Sequence, residues 1–435
     1  MKNTKLFQYV LIGVFVFFII IGAIMFATYR STSQSTADIN ISVWGTLSAD
    51  NFESFVNRYF NDTEIKSQVE YKEVEIADFD KELVEALASG VGPDAVILPE
   101  DLIVRYRNKV YPIPYTTLPE LTFKQTYIQE GELYLNNQGI IALPFSLDPL
   151  VMYWNRDIFN NIGVTKPPVS WTEISSLIPK ITQKDSAQNI SRSTVALGEF
   201  RNINNAKEIL SALIMQAGNP IVSLNLGDDS LTSVLDSDLN LSSLPTSAAL
   251  QFYTNFSNPV KKEYTWNRAL PSSLDAFANG DLAIYFGFSS EYVKIKNKNP
   301  NLNFDVALLP QAQGAKTYST FGNMLGLAIM KNSANPAGTY SIISALASAQ
   351  AVPFWQDLFN VPSARRDVLS QNEKNAVKTI FNKSAIMSRG WLDPDGIKTG
   401  TIFQEMVESY TTGRSTLDEA VITASARLDS LLNNK

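Results

Sequence analysis

The feature that most constrains this chain is the regular exchange of two apolar spacings between residues 39 and 98. Ile39, Ile41 and Val43 alternate in the period of a strand and run into Trp44 and Gly45, after which Ser48 is placed to cap a helix. Phe52, Phe55, Val56, Tyr59 and Phe60 then share one helical face. Residues 69–76 read as a second strand. Phe79, Leu83, Ala86 and Leu87 form a second helical stripe stopped at Gly90, and Pro93 and Asp94 lead into the apolar run 95–98. Such a βαβαβ order predicts an α/β fold with a parallel sheet, helices on both faces and a ligand crevice beyond the carboxyl ends of the strands. Those ends fall at residues 44–47 and 99–101.

With 435 residues and 45% hydrophobic content, the chain can bury the cores of two or three globular units. Its formal charge of −7 comes with scattered rather than massed Lys and Arg, so nucleic acid is not an expected partner. Neither cysteine nor histidine occurs. That removes disulfides, thiolate nucleophiles, Cys/His metal sites and imidazole acid–base chemistry, and no metal or cofactor is expected. A lipid anchor on cysteine is excluded as well.

At the N-terminus, Lys2 and Lys5 precede an uncharged run over residues 6–29 dense in Val, Ile, Leu and Phe, followed by Arg30. About 20 apolar residues cross a ~30 Å hydrocarbon layer, whereas the apolar part of a cleaved signal peptide is usually ~7–15 long. Residues 1–30 are therefore expected to form a cytoplasmic stub and a single transmembrane helix, with the N-terminus inside by charge bias. The body would lie on the extracytoplasmic side of the cytoplasmic membrane. A long signal peptide that is removed is the alternative, and it exports the body too. The polar residues 31–38 read as a linker.

Further on, residues 139–155 place two apolar strand-like runs around a proline-broken middle, where the chain is expected to change course. Helical stripes follow at Ile209, Leu210, Leu213 and Ile214, at Ala249, Phe252, Tyr253 and Phe256, and at Leu274 and Phe277 before Gly280. Residues 282–287, 306–309 and 324–330 read as strands, and two helices flank Thr412, Gly413 and Arg414. The polar stretches 183–193 and 224–243 read as surface loops or insertions.

The run LPFSLDPLVMYWNRDIF from Leu143, continuing through Gly163 to PPVSWTEI from Pro167, resembles the carbohydrate-type extracellular solute-binding proteins of ABC importers, the maltose-binding-like family. In the same order stand GVGPDAV from Gly90, FANGDLAI from Phe277, VPSARRD from Val361 and TGRSTLDEA from Thr412. The anchor departs from relatives that are cleaved or lipidated at cysteine, and the region after Gly198 does not align with the family's binding aromatics. The resemblance implies a periplasmic-binding-protein-like fold of two discontinuous lobes, residues 39–144 with 327–360 and residues 149–321 with 366–435. Hinges are implied near 145–148, 322–326 and 361–365. It implies a non-enzymatic protein that closes on a small polar ligand, a sugar or oligosaccharide, and hands it to ABC permease subunits; the protein itself is expected to be monomeric.

Under the resemblance, Asp148 takes the place of an acidic ligand-binding residue at a hinge, with Phe145 and Ser146 beside it lining the cleft; service to the backbone alone is the other account of the serine. Trp44 and Gly45 end the first strand facing the crevice, although a strand-end tryptophan often caps a core. Glu100 and Asp101 end the third strand at the same rim, and only one of them is expected to touch ligand, the other capping the following helix or facing water. Trp266, Phe288, Ser289 and Asn323 lie beside strand or hinge ends. Trp391 and Asp393 fall in a loop, where an exposed tryptophan favours binding, so Trp391 ranks above Trp266. Arg201 and Asn202 follow a strand-like run ending near Gly198, and an exposed loop is the simpler account of them. Trp154 and Trp171 belong to packing.

Two other classes stay open on the sequence. A glycoside-active enzyme would pair carboxylates such as Glu100 and Asp148 at about 5–5.5 Å or ~6.5–9.5 Å across one bond, with one pKa raised by burial. A tethered receptor or adhesion module would have no transporter. Oligopeptides and polyols remain alternatives to a saccharide.

Overall fold

The computed structural model describes residues 39–61, 67–225, 227–238 and 244–433. The expected anchor and linker lie outside these residues. Among the described residues, no helix is long and apolar enough to cross a membrane.

The main strands are β1 (Ile39–Gly45), β2 (Ser67–Glu73), β3 (Ala95–Pro99), β4 (Leu143–Asn155), β5 (Ile190–Val195), β6 (Leu282–Phe288), β7 (Phe304–Ala307) and β8 (Thr320–Ile329). They form one sheet in the order β2-β1-β3-β8-β4-β6-β5, with β7 also paired to β4. The sheet is mixed where a parallel one was expected. β1 is parallel to β2 and β3, and β6 to β5, but the pairs β3–β8, β8–β4 and β4–β6 are antiparallel. Local βαβ units fix only the first direction. The central strands arrive from distant parts of the chain.

The helices that pack the two halves include α1 (Ala49–Asn61), α2 (Phe79–Ala88), α3 (Trp171–Ile181), α4 (Ala206–Gln216), α5 (Pro245–Asn255), α6 (Ser273–Asn279), α7 (Pro336–Leu346), α8 (Val352–Phe359), α9 (Ala376–Met387), α10 (Gly396–Thr411) and α11 (Leu417–Asn433). α1 buries Phe52, Phe55, Val56 and Tyr59, as its spacing predicts, with the Phe52 ring stacked on Tyr71 at 4.2 Å. α8 packs on α1, and α7 packs on β1 and β8, so β1–β3 with these helices make one half of the molecule. β5–β7 with α3–α6 and α9–α11 make the other, in which α3 covers β5, α6 covers β6, and α9 lies on β4 and β7. Gly413, at φ 71°, ends α10 in a backbone conformation that side chains resist and so admits the turn into α11.

β4 and β8 run through both halves. β4 is one continuous strand of 13 residues, not two runs with a change of course. Its two prolines fall where the ladder is irregular or ends. Pro144 pairs with Gly326 at a register shift, and Pro149 pairs with Gly322 before β7 takes over along Met152 to Asn155. The shift leaves Phe145 out of the pairing, and its ring packs on Trp355 at 4.3 Å and Phe55 at 5.7 Å. On the other side of the same stretch, the Leu147 N–H donates to Pro362 O at 3.1 Å and Ser146 bridges Ser363. Three segments thus lie side by side where the two halves join.

The polar stretches read as loops also differ. Residues 190–195 are a strand paired with Gln183–Lys184, and Val222–Asn225 with Ser230–Ser233 form a hairpin whose Ser233 N–H donates to Asp429 Oδ1 at 2.6 Å. Polarity concealed both because each faces water on one side.

Candidate functional site

Where β3 ends, the chain turns directly into a short 3-10 helix whose first residues are Glu100 and Asp101. Both side chains reach across to the opposite half. Glu100 Oε1 accepts the Trp391 N–H at 3.1 Å, and the Met324 N–H of β8 is also directed at this carboxyl. There is no room for a side chain at Gly390, because a Cβ there would overlap Glu100 Oε1. Glu130 lies against Glu100 from the same half, beside Gly322, where an added Cβ would fall 2.7 Å from Glu130 Oε2. Glu100 and Glu130 are buried, and among the described residues Glu100 Oε2 and both Glu130 oxygens lack a donor. A carboxyl that keeps its proton gives the pair an O–H donor of its own. Burial pushes both well above the usual carboxylate range, and the mutual repulsion of the two groups raises Glu130 further.

Beside this pair, Asp101 abuts Gly396 at the start of α10. The Lys207 ammonium on α4 donates to Asp393 Oδ2 at 2.8 Å, and the Thr399 hydroxyl donates to the same carboxylate at 2.8 Å. Burial works against the charge on Lys207, but Asp393, Glu208 and Asp101 outweigh it and hold its pKa above the ordinary value. Burial raises Asp101, and the Asp393 carboxylate adds to the effect. Arg105 ties the halves together at the edge, holding Asp80 at 2.6 Å and Asp395 at 3.0 Å. Arg107 Nη1 donates to Asp229 O at 3.0 Å across the same boundary.

The second group sits where β4 and β8 pass between the halves. Asp148 and Asn323 are register partners, and Asn323 is exposed. Asp148 Oδ1 accepts from Ser289 Oγ at 2.6 Å and from the Ser290 N–H at 3.0 Å. Burial raises the Asp148 pKa, and these donors oppose the shift. Phe288 is buried edge-on to Phe321, and its carbonyl accepts the Tyr153 hydroxyl at 2.7 Å. Gly322, Asn323 and Met324 of β8 connect this group to the Glu100–Glu130 pair, so acidic and amide groups from both halves converge on one boundary.

The structure therefore brings Glu100, Asp101, Asp148, Ser289, Asn323, Trp391 and Asp393 to this boundary, with Phe288 beside them. Trp391 is not the exposed loop residue expected: it is 2% exposed and stacked on Phe403 at 6.0 Å, because Glu100 and Lys207 approach it from elsewhere in the chain. Trp44 does not face the crevice. Its ring lies under Lys72 Nζ at 3.9 Å, in a shallow groove beside Glu82, Glu85 and Ala86 of α2. Gly45 serves packing, since a Cβ there would come within 2.7 Å of the Tyr71 hydroxyl that holds Leu47. Phe145 is core, and Ser146 is buried in the bridge to Ser363. Trp266, 1% exposed, donates to Asn202 Oδ1 at 3.2 Å, and Asn202 in turn donates to Asn267 O and Leu270 O, so these two residues staple loops. Arg201 is an exposed partner of Glu408 at 2.7 Å. Trp154 and Trp171 are buried, with the Trp171 indole N–H donating to Gln216 at 2.7 Å.

Sequence reasoning missed Glu130, Lys207, Arg105 and Arg389, whose charge faces Glu130. Nothing local marks them. Their meaning comes only from partners at long range.

The model of the bacterial extracellular solute-binding proteins matches residues 54–380. The sn-glycerol-3-phosphate-binding periplasmic protein UgpB of Yersinia enterocolitica is 21% identical over 312 residues, 68% of this chain and 67% of its own. Among solved structures, a cyclo/maltodextrin-binding protein complexed with maltotetraose superposes with a TM-score of 0.72 at 15% identity, over 91% of this chain and 97% of that one. The sugar-binding protein MalE of Xanthomonas citri gives 0.71 at 17% identity, over 91% and 97%. The cyclic α-maltosyl-1,6-maltose binding protein of Arthrobacter globiformis gives 0.72 at 14% identity, over 92% and 100%. At these identities the structural likeness is one of fold.

Proposed function

This chain belongs to the bacterial extracellular solute-binding proteins, a family of binders and not enzymes, and from that premise we propose that it captures a small carbohydrate by closing two lobes and delivers it to an ABC permease. The lobes are residues 39–144 with 327–360 and residues 149–321 with 366–435, hinged near 145–148, 322–326 and 361–365. The observation that carries this reading is the convergence of hydrogen-bonding groups from both halves on one boundary, Glu100 facing the Trp391 N–H and Asp148 facing Asn323 beside the three joined segments. Ligand contacts made by both lobes stabilise the closed form over the open one, and moving that balance from 1:99 to 99:1 takes roughly 5.5 kcal/mol of differential binding.

The site's charge favours an uncharged, hydroxyl-rich ligand. Asp101 and Asp148 are acceptors for hydroxyl groups, while Lys207 and Arg105 are already held by carboxylates and Arg389 faces Glu130. A phosphate, such as the name of the Yersinia relative specifies, calls for cations that are not so engaged. Ligand contact is assigned to Asp148, Asn323, Ser289, Glu100, Asp101, Trp391 and Asp393. The body is held outside the cytoplasmic membrane by residues 6–29, with the N-terminus inside, and works as a monomer.

A thermal-shift screen across sugars, polyols, peptides, amino acids and sn-glycerol 3-phosphate tests the ligand class. A sugar is expected to raise the unfolding temperature and to make the particle more compact in small-angle scattering. A response confined to sn-glycerol 3-phosphate or peptides, or a saturated complex with an unchanged scattering profile, refutes the reading. Fractionation tests the anchor, since a soluble native chain beginning near Ser31 overturns it.

A further inference from the structure

On α8, α9 and the chain between them lies a cavity of about 210 Å³ that meets the joined segments only at Pro362. Five carboxamides line it, those of Gln356, Asn360, Gln371, Asn372 and Asn382. None of these side chains makes a hydrogen bond within the described protein. Each offers an acceptor and two donors, so the wall is dense in polar groups that only solvent or a solute can satisfy. Charge is not what the wall lacks. Asp357 and Lys378 face each other at 3.7 Å, and Glu373 Oε1 already accepts the Asn375 N–H at 2.7 Å. Phe381, Val368 and Pro362 are buried beneath and give an apolar face.

From this lining we infer that the cavity is a second binding site, for a small uncharged polyhydroxylated solute. Hydroxyl groups match carboxamides in both donor and acceptor roles, and the C–H faces of a polyol suit the apolar face. The volume lies below the ~300–1,000 Å³ of pockets for drug-sized ligands, so the solute has a few carbons and is no oligosaccharide. The site is independent of the cleft assignment. α8 packs on α1 of one half and α9 on β4 and β7 of the other, so an occupant touches both.

The test follows the side-chain carboxamide signals of the ¹⁵N-labelled full chain during titration with erythritol, putrescine and succinate. Erythritol is expected to shift the signals of Gln356 and Asn382. Replacing both (Gln356→Leu with Asn382→Leu) is expected to weaken erythritol binding, read on the remaining Asn360 and Asn372 signals, about tenfold or more, as is Asn372→Leu, an exposed position where folding is not at stake, read on Gln356 and Asn382. No response to erythritol, a tighter response to putrescine or succinate, or a titration unchanged in Asn372→Leu overturns the proposal.

Discussion

Glu100 and Trp391 meet from opposite halves of the molecule, the backbone N–H of the tryptophan donating to the Glu100 carboxyl at 3.1 Å while its ring lies buried on Phe403. A side chain in that position belongs to the packing of the second half as much as to any ligand. Trp391→Ala is expected to cost about 3–5 kcal/mol of stability, the range for deleting a large buried aromatic. Urea unfolding of the ligand-free protein measures it, and a midpoint equal to that of the wild type would show the ring to be dispensable.

The Glu100–Glu130 pair makes stability depend on pH. Both carboxyls have pKa values raised in the folded state, so the folded protein holds protons that the unfolded chain releases. Their contribution is complete below the ordinary carboxylate pKa of about 4.5 and is lost as pH rises through the folded values, with Glu100 pushed up to about 8. The unfolding temperature should therefore fall between pH 5 and pH 9 by more in the wild type than in Glu130→Gln, which supplies an amide donor in place of the proton. Equal slopes for the two proteins would remove the pair from this role.

Asp148 stands at the joined segments, its Oδ1 held by Ser289 and Ser290. Asp148→Ala is expected to weaken sugar binding about tenfold or more, because ligand hydroxyls lose their acceptor. Asp148→Asn should recover part of the loss. Calorimetric titration with the best sugar from the screen decides the matter, and unchanged affinity in the alanine variant would take Asp148 out of the site.

Arg105 bridges Asp80 and Asp395 with its own side chain about one-third exposed. Such a pair contributes only ~0–1 kcal/mol to stability and less in high salt. Arg105→Ala should leave the unfolding midpoint nearly unchanged yet make the ligand-free particle less compact in small-angle scattering. An unaltered profile at low salt would mean that the bridge does not bias closure.

The first half was legible because its strands and helices are local and amphipathic: α1 buries four of the five residues its spacing selects, with Phe60 partly exposed. β4 was misread because Pro144 and Pro149 look like breakers in isolation, and only their partners Gly326 and Gly322 show that the ladder accommodates them. For the site, strand ends located Glu100 and Asp101, and a family resemblance pointed to Asp148. Trp391 reads as exposed because a loop containing Asp393, Pro394 and Asp395 carries no sign of Phe403 and Lys207, which cover its ring. Glu130 and Lys207 were invisible for the same reason, each deriving its role from a charge that only folding brings near.

Gly390 turns the junction between the halves into a tolerance gauge. A methyl group there strikes the Glu100 carboxyl, which is pinned in turn by Trp391 and Met324, so it acts as a shim driven into a closed seam. One added carbon atom alters how tightly the seam shuts while leaving the chemical identity of every group that greets the solute intact, whereas a substitution at the carboxylates themselves changes both.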